Sequence, residues 1–158
     1  MEYEKKLVAN RIQTPDGTIL WSRFCHDFVS YKDANGVEYM LDGGNDYQRC
    51  YCEQDWPEEL KSKNISVYND APWEIQRDVI LRGTFDRTDG HRIWVPLSKL
   101  SDGHLKSIIN DLKKDDLFGG YNKNNRYEKE IKYRKQNNIR ISNHDYKDEQ
   151  IYSISKSL

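Results

Sequence analysis

Two turn signatures near the start limit what this chain can fold into. Pro15-Asp16-Gly17 separates the β-prone residues 8–14 and 18–24, and Asp33-Ala34-Asn35-Gly36 separates residues 27–31 from 37–41. Proline presets one turn dihedral and glycine tolerates positive φ, so the first has a mechanical reason to turn. Asn-Gly is a strong hairpin dipeptide. A third hairpin is read at residues 81–86 and 91–96, around Thr88-Asp89-Gly90. Residues 47–52 read as a further strand, and Pro72 opens a short helix that runs to about Val79.

The second half changes period. Ser101 is a good N-cap and Asp102 suits a first helical turn. Leu105, Ile108, Ile109 and Leu112 then fall on one stripe at i, i+3, i+4, i+7, which predicts a helix over 101–112. A second helix is expected over about 124–136, with a thin apolar face of Tyr127, Ile131 and Tyr133, closed by Asn137-Asn138. Ile139 and Ile141 suit a last short strand. The fold class is therefore α+β: an N-terminal antiparallel sheet of hairpins followed by two C-terminal helices. Residues 1–142 are expected to form a single domain, and the polar residues 143–158 a loosely ordered tail.

Composition narrows the function classes. Net charge is −1, so whole-chain electrostatics name no partner. The distribution is uneven. Residues 1–60 hold 12 acidic against 6 basic side chains, whereas residues 101–158 hold 9 against 12. That split suits contact between subunits or a local anion site, although solvated helices also collect lysine. The basic residues of 123–135 cannot share one helix face, so no long nucleic acid is expected as partner. No stretch approaches about eighteen apolar residues and no apolar run follows the first residues, so neither a membrane span nor a signal peptide is expected. Cys25, Cys50 and Cys52 are an odd set without a paired spacing. They predict ordinary thiols in a reducing compartment, with no disulfide framework and no metal.

Catalytic signals are absent from the pattern. No Gly-x-Ser-x-Gly, phosphate-binding loop or His-Glu-x-x-His occurs. His26-Asp27 are adjacent, and neighbours on a strand point to opposite faces, so a structural histidine is the default. Asp42-Gly43-Gly44-Asn45-Asp46 lacks the ligand spacing of a calcium loop and reads as a turn. The most suggestive run is the third hairpin, which carries Arg82, Phe85, Arg87, Arg92 and Trp94. Guanidinium groups pair with phosphates and aromatic rings stack on bases. Alternation groups Phe85 with Arg87 and Arg92 with Trp94, and leaves Arg82 pointing the other way. The default alternative is a half-exposed hairpin with Phe85 and Trp94 in the core.

Three stretches carry a resemblance: RIQTPDGTILWSRFCHDFVSYKDANGVEYMLDGG (11–44), VPLSKLSDGHLKSII (95–109) and KEIKYRKQNN (129–138). Together they resemble a family of small bacteriophage accessory proteins, over roughly residues 8–140, and that family is similar to Thoeris anti-defence sponges. The resemblance implies an oligomer, not an enzyme, acting in the cytoplasm of the infected bacterial host without a cofactor. It would capture an anionic nucleotide signal, a cyclic ADP-ribose isomer or a cyclic oligonucleotide, without cleaving it. Phe85 is then the stacking ring. Arg82, Arg87 and Arg92, with Arg134 or Arg140 of a neighbouring subunit, are then the phosphate ligands. One departure is Cys25, where members often carry arginine; a second ligand site using that arginine would be lost. The alternative function is a phage inhibitor that binds a host protein directly, which exposed Tyr and Trp would suit.

Overall fold

The computed structural model describes residues 4–50, 53–86, 88–116, 126–142, 146 and 154–156. The architecture is mixed α and β, with antiparallel sheets first and the longer helices last. The chain divides into two compact units, one of residues 1–80 and 150–158 and one of residues 81–149.

In the first unit, β1 (Leu7–Gln13) and β2 (Thr18–Ser22) form the hairpin that Pro15-Asp16-Gly17 predicts, in register from Asn10↔Ser22 to Gln13↔Ile19. Asp16 holds the turn. Its carboxylate accepts hydrogen bonds from the Thr14 and Tyr31 hydroxyls and from the Thr18 backbone N–H. These donors, Thr14 first, hold its carboxyl well below the usual carboxylate range. Next come β3 (Val29–Lys32), β4 (Glu38–Asp42) and β5 (Arg49–Cys50), a second antiparallel sheet. At the Asn35-Gly36 turn, Gly36 takes φ 82°, and Asp33 Oδ1 accepts the N–H groups of Asn35 and Val37, each at 2.9 Å. Residues 42–46 are a turn fastened from outside. Asn10 Nδ2 donates to the carbonyls of Asp42 and Tyr47 at 3.0 Å, and the Gly44 N–H donates to Ser22 Oγ at 2.8 Å.

Two short strands, β6 (Lys63–Asn64) and β7 (Val67–Tyr68), both pair antiparallel with β1. The helix α1 (Trp73–Val79) follows Pro72, as expected. Strand alternation puts different residues of β1 and β2 into two apolar clusters. Ile12 and Leu20 pack with Val29, Tyr39 and Leu41. Ala9 packs with Val67 and Val79, with Trp21 against them.

The second unit opens with β8 (Leu81–Phe85) and β9 (Arg92–Pro96), followed by α2 (Asp102–Asp116) and α3 (Arg126–Gln136). Ser101 caps α2 as its sequence position predicts, accepting the His104 N–H at 3.1 Å. The stripe Leu105, Ile108 and Ile109 is buried with Ile93, Val95, Leu97, Leu100 and Tyr127. On α3 the buried positions are Tyr127, Glu130 and Arg134, so an ion pair takes the deepest part of the helix, while Ile131 and Tyr133 of the expected apolar face are half-buried. Ile139 and Ile141 form no strand. The Ile141 carbonyl instead accepts the Asp102 N–H at 2.8 Å, so this segment closes the start of α2.

The last strand lies in the stretch read as a loose tail. β10 (Ile154–Lys156) pairs antiparallel with β2, from Ile154↔Leu20 to Lys156↔Thr18, and belongs to the first unit. Among the described residues, no helix is long and apolar enough to cross a membrane.

Candidate functional site

The register of the third hairpin decides which side chains meet. Phe85 pairs with Arg92, Gly83 with Trp94, and Arg82 with Val95, without a bulge. Directly paired residues project to the same side of a sheet. Phe85, Arg92 and Trp94 therefore share one face, and Arg82, Ile93 and Val95 share the other. Ile93 and Val95 are buried, so the second face is the core side.

On the open face, the Arg92 guanidinium carbon lies 5.8 Å from the Phe85 ring centroid and 5.5 Å from that of Trp94. Both distances allow a cation–π contact. Phe85 is 61% exposed, the largest value among the exposed large hydrophobic residues of the described residues. Trp94 is half-buried and lies over Gly83. A Cβ at residue 83 would meet the indole at 3.3 Å, so the missing side chain makes room for the ring. The indole occupies the space beside the Gly83 backbone. Among the described residues, Arg92 makes no ion pair.

The other expected ligands are dispersed. Arg82 turns to the core side, where its Nη1 donates to the Tyr127 hydroxyl at 3.4 Å and its guanidinium carbon sits 6.0 Å from that ring. Arg87 lies outside the described residues. Arg134 is 3% exposed and all three of its nitrogens are engaged. Nε donates to Glu130 Oε1 at 2.8 Å, Nη1 to Asp102 Oδ1 at 2.8 Å, and Nη2 to the Leu97 carbonyl at 2.7 Å. A guanidinium so enclosed holds α2 and α3 together. Arg140 is exposed and lines a cleft between the start of α2 and the end of α3. The spacing signal for the Arg134 cluster is Glu130-x-x-x-Arg134, an i,i+4 pair that more often lies in solvent.

The hairpin turn is acidic. Asp86 accepts from Thr88, whose hydroxyl and N–H hold the Asp86 carboxyl below the usual range. Asp89 accepts the His91 N–H at 3.0 Å, and that bond and the His91 ring lower its carboxyl too. Among the described residues, Asp86, Asp89 and His91 are the one group of such ligands close enough to share an ion, within 4.8 Å of one another. Their bonds to one another and to Thr88 build the turn itself.

The remaining candidates are structural. Asp27 is buried and accepts the Arg23 N–H at 2.8 Å, while His26 takes φ 65° in the turn before β3. Cys25 is exposed, and Cys50 is half-buried with its thiol pushed up to about 11, first by burial and then by Glu53. So protonated a thiol is a poor nucleophile at neutral pH. No protein-family model, no curated protein and no solved structure matches this chain, so the geometry of the open hairpin face stands on its own.

Proposed function

We propose that this chain is a phage anti-defence protein that binds an anionic cyclic nucleotide signal and holds it without cleavage. The observation that carries the proposal is Arg92, set between the exposed Phe85 ring and the Trp94 indole on one open face. Phe85 offers a stacking surface for a base, and Arg92 offers donors for a phosphate beside it. The two rings restrict the Arg92 side chain before a ligand arrives, which lowers the ordering cost of binding. Phe85, Arg92 and Trp94 supply no acid, base or nucleophile at neutral pH, so capture without turnover is the chemistry these three can perform. The reading takes its ligand class, host cytoplasm and homo-oligomeric state from the sequence resemblance.

A second reading, direct inhibition of a host protein, draws on a different observation. Phe24, Phe28 and Tyr47 of the first unit are 40%, 56% and 49% exposed. Exposed aromatic side chains are common anchors of protein interfaces.

Calorimetry with cyclic ADP-ribose isomers and cyclic oligonucleotides separates the two. The nucleotide reading expects one of them to bind more tightly than about 10 μM, and Phe85→Ala to weaken it about tenfold to a hundredfold. If none binds, and a host protein co-purifies instead, direct inhibition replaces it.

A further inference from the structure

The end of α3 builds a second cationic concavity. Asn138 takes φ 55°, and the Ile139 N–H donates back to the Arg134 carbonyl at 2.9 Å, a left-handed helix stop. The chain then returns along the start of α2, where Asp102 and Ile141 exchange backbone and side-chain bonds of 2.8 and 3.3 Å. This return leaves a cleft of about 420 Å³. Four cations line it against one carboxylate. Arg134 and Asp102 are already bonded to each other at 2.8 Å. The other three, Lys106, Lys135 and Arg140, are exposed; the Lys106 charge helps hold the Asp102 carboxyl down, and among the described residues none of the three makes a close salt bridge. Two half-buried isoleucines, Ile131 and Ile139, give the cleft an apolar wall.

We propose that this cleft binds a small organic phosphate that also carries hydroxyl groups, such as a sugar phosphate or a nucleoside phosphate. Basic side chains in the last turn of a helix also interact favourably with its dipole, and that accounts for Lys135 by itself. It does not account for a lysine from the first turns of α2 and an arginine beyond α3 lining the same concavity. Like charges gathered there repel, and a multiply charged anion relieves the repulsion. The volume lies in the range of small-molecule sites and is too small for a macromolecular surface. Ile131 and Ile139 would meet the carbon skeleton. The outer lone pairs of Asp102, whose side chain is 39% exposed, would accept a hydroxyl. The cleft shares no residue with the Phe85–Arg92–Trp94 face, but it holds Arg134 and Arg140, which the resemblance also gives as phosphate ligands, so the Phe85→Ala arm of the test keeps the two readings distinguishable.

The test is a titration of the isotope-labelled full chain with ribose 5-phosphate, followed by amide chemical shifts, with ribose and inorganic phosphate at matched ionic strength as controls. Saturable shifts centred on Lys106 and residues 131–140, with Kd below about 1 mM, are expected. Ribose should shift nothing, and inorganic phosphate should bind more weakly. Lys135→Gln and Arg140→Gln, both at exposed positions, should each raise Kd about tenfold, while Phe85→Ala should leave it unchanged. The proposal is overturned if no saturable shift occurs, or if the double variant Lys135→Gln/Arg140→Gln binds as well as the wild type. It is also overturned if inorganic phosphate perturbs surface lysines throughout to the same extent. Shifts centred on Phe85 and Arg92 instead would sink the cleft and leave the hairpin reading standing.

Discussion

The helix pair and the hairpin of the second unit each hold an arginine, and the two meet opposite fates. Arg134 is enclosed, and fixed oxygens of Glu130, Asp102 and Leu97 accept from all three of its nitrogens. Arg92 is exposed and lies beside two rings that accept no conventional hydrogen bond. The first arrangement satisfies the guanidinium inside the fold, where removing one partner strands a buried charge. The second leaves the donors available, because a cation–π contact uses the charge and not the N–H groups. An arginine is thus enclosed in the scaffold or left open by the oxygens around it, not by its place in a basic segment.

Breaking the scaffold side should give the largest effect. Arg134→Met removes the guanidinium that pairs with the fully buried Glu130 carboxylate, and should cost about 3–5 kcal/mol in urea unfolding. Arg134→Met combined with Glu130→Leu should recover much of that loss, since an apolar pair replaces a buried ion pair at little net cost. A double variant no more stable than Arg134→Met would show that the Glu130–Arg134 pair is not the source of the loss. On the hairpin side, the proposed function expects Phe85→Ala to weaken nucleotide binding by about 1–3 kcal/mol, with little change in stability because Phe85 is largely exposed. A fall in the urea midpoint equal to that of Arg134→Met would erase the distinction between the two regions.

The smallest effect concerns pH. Burial pushes the Asp102 carboxyl up, but the Arg134 guanidinium and the Ile141 N–H outweigh it and leave the group below its usual range. A carboxyl depressed in the folded state contributes stability that is present above its unfolded pKa, about 3.9, and is lost as pH falls through the folded value. Acid titration of the wild type should therefore show a loss beginning below about pH 4. Asp102→Asn should flatten that part of the curve; an unchanged slope would remove Asp102 as its source.

Much of the fold is legible because its signals are local. The three hairpin turns, Pro72 before α1, the Ser101 cap and the apolar stripe of α2 each act within a few residues. β6 and β7 are not legible, because two-residue strands carry no period and exist only by pairing with β1. β10 is hidden for the same reason, as Ile154 is defined by Leu20, far away in sequence. In the site, alternation suffices to group Arg92 with Trp94 and to turn Arg82 away. The fate of Arg134 is not readable from residues 123–135, since its oxygens at Asp102 and Leu97 come from another part of the chain.

That distance also bears on the order in which the unit forms. Asp102 lies 32 residues from Arg134 and 39 from Ile141, whereas the β8–β9 hairpin closes over a short turn. Closing long loops carries an entropy cost that local pairs do not. The Asp102 latch should thus engage after the barrier, once both helices stand. In stopped-flow experiments, Arg134→Met should then accelerate unfolding far more than it slows refolding. The buried cluster would serve chiefly as a brake on opening, setting how long the folded state lasts and contributing little to how fast it is found.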